Sequence, residues 1–180
     1  GEIYGAVVAA ARQPAFYRQY RVPDTPEGRF EMVALMLFLV LERVKRVSPD
    51  GEALTQGAIE AFVTDMDDCM REMGVGDLTV AKKVKRAAAA FYERAGHYRQ
   101  HLADANQVPN QAATQGEVTD TSANGLSAAL VRFVFAGETA GDAGALALYI
   151  QGVSTALAAA RDADLDCDGL TKRLDIQDAT

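Results

Sequence analysis

Apolar residues recur every three or four positions through most of the chain, and no segment shows the strict alternation that is typical of a β-strand. The spacing predicts a short helix near residues 3–12 and a single helical turn near 16–20. It predicts longer helices near 25–46, 54–73, 79–102, 126–134 and 146–157. The pattern therefore predicts an all-α, single-domain helical bundle of about six helices.

One predicted helix is apolar on nearly every face. The run from Met32 to Leu41 contains ten consecutive apolar residues, whereas a helix that crosses a membrane needs about twenty. Thr25 followed by Pro26 suits an N-cap and the first helical position. We expect this helix to lie at the centre of the bundle.

The next two predicted helices are separated by Gly74-Val75-Gly76, with Asp77 or Thr79 as the cap of the second. A connection this short predicts an antiparallel pair of long helices. Residues 106–124 are polar and carry few large apolar side chains, as in a loop. We therefore predict a helical core over 1–105, a polar loop over 106–124, and C-terminal helices over 125–180 that pack on the core.

Charge and composition restrict the function. The net charge is −7 with a pI near 4.8, which argues against a DNA-binding protein. Cys69 and Cys167 lie far apart, so neither a disulfide framework nor a zinc finger is expected. Residues 1–4 lack the features of a secretory signal or a transit peptide, so we expect a cytoplasmic location. No phosphate loop, nucleophile elbow or Cys-His pair is present, and we expect neither an enzyme nor a cofactor.

Three acidic residues near the end have the spacing of a calcium loop. Asp164, Asp166 and Asp168 occupy alternate positions before Gly169, as the oxygen ligands of such a loop do. However, Asp175 stands where a bidentate Glu is required, and Lys172 and Arg173 crowd the loop. We interpret the segment as an acidic, solvated helix end and keep a calcium-responsive protein as the alternative function.

Two other groups of candidate metal ligands are incomplete. His97 and His101 lie four residues apart on one predicted helix but have no third ligand, so we interpret them as exposed or capping side chains. Asp65, Asp67, Asp68 and Glu72 have no matching Glu-x-x-His on a second helix. We interpret them as a solvated or partner-facing acidic surface.

The densest basic run is formed by Lys82, Lys83, Lys85 and Arg86. These residues fall in the first turns of a predicted helix, where cations oppose the helix dipole and do not stabilise the helix. Such a run is usually only solvated. A second interpretation here is that it binds an acidic protein or ribosomal RNA.

Three stretches carry a family resemblance. They are Ala-Arg-Gln-Pro-Ala-Phe-Tyr (11–17), Val-Pro-Asp-Thr-Pro-Glu-Gly-Arg-Phe-Glu (22–31) and the segment from Asp65 to Lys85, continued by Ala-Phe-Tyr-Glu-Arg (90–94). Over about residues 3–105 the sequence resembles the ubiquinol-cytochrome c chaperone family in its bacterial form. The resemblance implies an assembly chaperone for the cytochrome bc1 complex that binds newly made cytochrome b or another membrane client. It also implies the ribosome or a second assembly factor as partners, and a place at the inner membrane through the client.

The candidate partner-binding residues come from the matching stretches and the basic run. They are Arg29, Met70, Met73, Gly74, Gly76, Asp77, Lys82, Lys83, Lys85 and Arg86. Methionines adapt to varied apolar surfaces, although ordinary core packing is the favoured interpretation of Met66, Met70 and Met73. Asp24 and Thr25 can cap the central helix, Arg29 can pair with an acid, and the glycines permit a tight turn. We predict a client contact at 74–86 and the flanking helix faces.

Overall fold

The computed structural model describes residues 2–47, 51–72, 77–107, 121–138, 141–160 and 167–174. These ranges contain eight helices and no strand, which confirms the all-α prediction. The helices are α1 (Glu2–Ala11), α2 (Pro14–Arg18), α3 (Pro26–Val47), α4 (Gly51–Glu72), α5 (Asp77–Gln107), α6 (Thr121–Phe133), α7 (Ala143–Ala159) and α8 (Cys167–Leu174).

The helix α3 lies at the centre of the bundle, as predicted. Every residue from Met32 to Leu41 is at most 9% exposed, because α1, α4, α5 and α7 cover different faces of α3. Full burial of one large aliphatic side chain contributes about 1.5–3 kcal/mol. The apolar run therefore makes α3 the element on which the other helices assemble.

The start of α3 is fixed by a capping residue and a glycine. The Gly28 amide donates a hydrogen bond to Thr25 Oγ1 at 3.1 Å, which confirms the predicted cap. A Cβ added at Gly28 would lie 2.0 Å from the Pro23 carbonyl oxygen, so only glycine fits there. Asp24 does not share the capping role that the sequence suggested, because its carboxylate accepts a hydrogen bond from Arg29 Nε at 2.6 Å.

The two long helices α4 and α5 pack against each other along their apolar faces. The Phe62 ring on α4 lies 5.6 Å from the Phe91 ring on α5, and Phe30 of α3 stacks on Phe62 at 5.7 Å. The connection between α4 and α5 is only residues 73–76, so the two helices run antiparallel, as predicted.

The helices that follow residue 120 contribute fully to the core. Their largest buried side chains, each 0% exposed, are Leu126, Leu130, Leu146, Ile150, Leu170 and Leu174. The short α8 was not predicted, and it packs on α1 and α7. Tyr149 Oη donates a hydrogen bond to the Leu174 carbonyl at 2.7 Å, and Gln13 Nε2 donates to the same carbonyl at 3.3 Å.

Within the described ranges, no helix combines the length and the hydropathy that a bilayer crossing requires.

Candidate functional site

The predicted basic run lies on the surface of α5. Lys82, Lys83, Lys85 and Arg86 are all exposed. None of the four forms an ion pair with a described residue. Because α5 begins at Asp77, their charges lie near the positive end of the helix dipole and gain nothing from it. We call these four residues the α5 basic face.

An exposed aromatic residue continues the α5 basic face toward the middle of the helix. Tyr92 lies seven residues after Lys85, which places both side chains on one side of α5. The Tyr92 side chain is 58% exposed, and its ring contacts the Phe91 ring edge to face at 5.6 Å. Tyrosine offers a large apolar ring with a polar tip, which is common at protein interfaces.

An open groove lies beside Tyr92 where α3, α4 and α5 meet. Its lining residues are Lys45, Glu52, Ala53, Thr55, Gln56, Ile59 and Tyr92. Thr55 is only 5% exposed, and its buried Oγ1 has no hydrogen-bond partner among the described residues. A buried hydroxyl without a partner costs about 1–3 kcal/mol, and this atom lies too deep for a peptide in the groove to reach. We call this surface the α3–α4–α5 groove.

The remaining candidate residues are only partly placed. Arg29 pairs with Asp24 and lies over the Tyr17 ring at 6.0 Å, so it belongs to the corner between α2 and α3. Asp77 is the first residue of α5. The side chains of Met70 and Asp77 lie outside the described part of the structure, as do residues Met73, Gly74 and Gly76 entirely. Of the methionines on α4, Met66 packs partly buried against the core.

The structure brings together a buried ion pair that the sequence analysis did not identify. Arg94 on α5 donates two hydrogen bonds of 2.6 Å to the Glu31 carboxylate on α3. Their side chains are only 18% and 8% exposed, respectively. Burial raises the pKa of Glu31, and the hydrogen bonds from Arg94 oppose that rise. Arg94 also lies over the Phe133 ring at 5.0 Å, which ties α6 to the same point.

Tyr98 lies one turn along α5 from Arg94. It is 1% exposed, and its hydroxyl has no hydrogen-bond partner among the described residues. Burial and the nearby Glu31 raise the pKa of Tyr98. The interior of this region therefore contains three neighbouring polar side chains, of which Glu31 and Arg94 are paired with each other.

The candidate metal ligands on α5 do not converge. His97 packs on the Phe133 ring at 5.4 Å. A Cβ added at Gly125 would lie 2.5 Å from His101 Nδ1. Both histidines are half-buried against α6, so their interpretation as exposed or capping residues is wrong. The physical reason is that α6 covers this side of α5. Among the described residues, no group of three or more His, Cys, Asp and Glu side chains can hold a metal ion.

The acidic residues of α4 mostly have partners inside the protein. Asp65 accepts a hydrogen bond from Tyr4 Oη at 2.8 Å, and Asp67 pairs with Arg71 at 2.6 Å. Asp65 therefore ties α4 to α1, while the exposed Asp68 is solvated.

The structure around the candidate calcium loop differs from that of such a loop. Asp164 and Asp166 lie outside the described residues, whereas Asp168 is the second residue of α8 and its side chain is not described. Residues Cys167–Leu174 are helical, and Leu170 and Leu174 are fully buried in this helix. A calcium loop instead presents ligands from alternate positions of an extended turn.

Comparison with known families decides the identity. The family model described as ubiquinol-cytochrome C chaperone matches residues 18–166. The chain belongs to the ubiquinol-cytochrome c chaperone family. Membership of this family implies a protein client in the assembly of complex III, and it favours a non-enzymatic role.

A solved structure supports the family assignment. The crystal structure of the Cbp3 homolog from Brucella abortus is similar to this chain with a TM-score of 0.75 and 37% sequence identity, over 92% of this chain and 83% of that chain. Comparison with curated protein sequences gave no match. The chaperone family match continues well beyond residue 105, so the resemblance extends over α6 and α7, which the three sequence stretches did not reveal.

Proposed function

We propose that this chaperone binds newly made cytochrome b, or another membrane subunit of the complex, through the α5 basic face and the α3–α4–α5 groove. The observation that carries the proposal is the cluster of four exposed cations that form no ion pair with a described residue and that continues into an exposed tyrosine. The groove beside that tyrosine is lined by residues of α3, α4 and α5.

The two parts of this surface have different tasks. The Tyr92 ring and the apolar wall at Ile59 accept a nonpolar segment of the client, which burial in the groove removes from water. The α5 basic face attracts acidic groups on the client and speeds its arrival, because charge complementarity acts mainly on the association rate. A surface of this kind can bind a client without catalysing a reaction.

The partners implied by the family resemblance fit the same surface. A cation cluster also suits the ribosome or an acidic second assembly factor, and either one would bind at the α5 basic face. The protein is then cytoplasmic and approaches the inner membrane only through its client.

Charge reversal with a matched control tests the proposal. The variant Lys82→Glu/Lys83→Glu is compared with Arg12→Glu/Arg18→Glu, which reverses two exposed cations, one directly after α1 and one at the end of α2. Tagged proteins are used to capture partners from detergent-solubilised cells of the source organism. We expect cytochrome b to be recovered by the wild type and by the control, and to be lost from the α5 variant.

The readout also separates the partners. Loss of ribosomal proteins together with retained cytochrome b would assign the basic face to the ribosome and leave the client in the groove. Equal recovery of every partner by both variants contradicts a role for the α5 basic face.

A further inference from the structure

The α3–α4–α5 groove continues as an apolar strip between α4 and α5. Ile59 lines the groove, and its spacing from Val63 and Met66 places all three on one side of α4. These three side chains are partly buried and pack against the core. On α5, Ala88 lies one turn before Tyr92 and is also half-buried. We call the strip formed by Ile59, Val63, Met66 and Ala88 the α4–α5 seam.

The antiparallel direction of α4 and α5 determines where the seam leads. Ile59 and Tyr92 line the same groove. Equal steps of seven residues from these two positions therefore place Met66 level with Lys85. Such a step is about 10 Å long, at about 1.5 Å per residue. The seam thus runs from the groove to the α5 basic face.

The end of the seam at the α5 basic face is positively charged. Lys82 and Lys85 are exposed there and form no ion pair with a described residue. Asp67 on α4 lies next to Met66 and is paired with Arg71 at 2.6 Å. This acid is therefore balanced within α4, and the two lysines remain available to a bound segment.

The groove end of the seam carries more acidic than basic side chains. Glu52 and Lys45 both belong to the groove lining, and both are exposed. Glu60, directly after Ile59, is also exposed, and it accepts a hydrogen bond from a neutral side chain, the Gln56 amide, at 2.8 Å. Two carboxylates and one ammonium group leave this end of the described surface negative. The two ends of the seam therefore differ in sign.

An apolar segment bound in the seam must satisfy its own main-chain polar groups. The described ranges contain no strand whose edge could pair with an extended segment, and unpaired main-chain groups are unfavourable in apolar surroundings. A helix satisfies these groups internally. The distance along α4 from Glu52 to Met66 is about 21 Å, which corresponds to about fourteen helical residues.

We propose that the client segment bound at this surface is an uncharged apolar helix of a membrane subunit, with its N-terminal end at Glu52 and its C-terminal end at Lys82 and Lys85. The helix dipole makes the N-terminal end partly positive and the C-terminal end partly negative, so each end meets the opposite charge. A segment without charged side chains is not repelled by a chain with a net charge of −7. The inference rests on the proposed function and adds the conformation and direction of the client segment.

Peptides test the conformation by fluorescence anisotropy on the full chain. The probe is a labelled peptide of about fourteen Ala, Leu and Gln residues, blocked at both ends, with Leu at every third or fourth position. The control peptide has Pro in place of one central Ala, which breaks a helix. We expect saturable binding of the probe and an affinity for the control that is lower by at least about tenfold, equivalent to about 1.4 kcal/mol.

The position of a single charge tests the direction. One peptide carries Glu at its last residue and a second carries Glu at its first residue. We expect the first to bind at least about fivefold more tightly, although Glu at the first residue stabilises the free helix. This difference should disappear in Lys82→Gln/Lys85→Gln. It should persist in the matched control Arg12→Gln/Arg18→Gln, which removes two exposed cations near α1 and α2.

A variant in the seam locates the bound peptide. Ala88→Gln places a longer polar side chain between α4 and α5 at a half-buried position. We expect at least about tenfold weaker binding of the probe by this variant and unchanged binding by Arg12→Gln/Arg18→Gln. Circular dichroism verifies that both variants are folded.

Several results would overturn the inference. Equal binding of the probe and the Pro peptide would mean an extended segment, and tighter binding of the peptide with Glu first would mean the opposite direction. A dimer in sedimentation that dissociates in Ala88→Gln would assign the seam to a second copy of this chain. The proposed function stands apart from these results, because it fails only if the capture of cytochrome b from cells does not depend on the α5 basic face.

Discussion

The helix α5 carries two kinds of cation, and the comparison between them separates structure from function. Arg94 and Arg99, in the second half of the helix, each donate two hydrogen bonds to an acid on α3. Lys82 and Lys83, in the first half, are exposed and form no ion pair with a described residue. Charges that fix helix packing are paired inside the fold, whereas unpaired charges at an unfavourable helix end remain available for a partner.

The largest effect is expected at the buried pair. Arg94→Ala leaves Glu31 as a buried charge without its partner, which costs about 3–5 kcal/mol. Denaturant unfolding at neutral pH measures the loss. Glu31→Gln/Arg94→Met, which removes both charges, is the control and should lose much less. An Arg94→Ala variant as stable as the wild type would show that the pair does not fix α5 on α3.

This loss should depend on pH in a defined direction. Burial raises the pKa of Glu31 in the folded protein, and removal of Arg94 takes away the group that opposes the rise. In Arg94→Ala, the free-energy penalty for burying the charged Glu31 carboxylate is present above the pKa that Glu31 has in the folded protein. This penalty disappears as the pH falls through that pKa. The difference in unfolding free energy between Arg94→Ala and the wild type should therefore shrink on acidification, and a constant difference would contradict the assignment.

A smaller effect on the free energy of unfolding, of opposite sign, is expected at Tyr98. Its buried hydroxyl has no hydrogen-bond partner in the described part of the chain, so Tyr98→Phe should be neutral or should stabilise the protein by up to about 1 kcal/mol. Thermal unfolding followed by circular dichroism measures this change. A clear destabilisation would mean that the hydroxyl makes a hydrogen bond that the structure does not contain.

A weaker effect on stability is expected at the exposed Arg99–Glu42 pair. Arg99 is 51% exposed and Glu42 is 22% exposed, so solvent screens the interaction and Arg99→Ala should cost less than about 1 kcal/mol. The same denaturant assay gives the comparison with Arg94→Ala. A loss as large as that of Arg94→Ala would remove the distinction between buried and exposed pairs on α5.

The smallest effect on stability is expected at the α5 basic face. Lys82→Glu/Lys83→Glu places acids near the helix N-terminus, which should change the unfolding free energy by only a few tenths of a kcal/mol, in the stabilising direction. The same variant should lose its client. A variant that loses both stability and client binding would show that the α5 basic face stabilises the fold.

Much of the fold was predictable because it depends on local pattern. The run from Met32 to Leu41 predicts a buried central helix from composition alone, and the glycines after residue 73 predict an antiparallel pair. The helix α8 was missed because only Leu170 and Leu174 mark its buried side among charged neighbours. Two apolar residues four apart do not distinguish a packed helix from a solvated tail.

The candidate site was predictable only in part. Clustered lysines are visible in the sequence, so the α5 basic face was found. The Glu31–Arg94 pair joins residues 63 positions apart, and Arg43 on α3 donates a hydrogen bond to the Leu157 carbonyl on α7. Contacts of this kind depend on how α3, α5 and α7 cross, and periodicity along one helix carries no information about crossing.

Photo-cross-linking from α5 tests the central claim most directly. A photoreactive phenylalanine derivative replaces Tyr92 in one variant and Leu148 in a matched control, since both side chains are large and exposed, at 58% and 61%. Each variant is present while cytochrome b is synthesised in cell extract with membranes. We expect a cross-link to cytochrome b from position 92 and none from position 148. Cross-links of equal yield from both positions, or from 148 alone, would contradict the proposed surface.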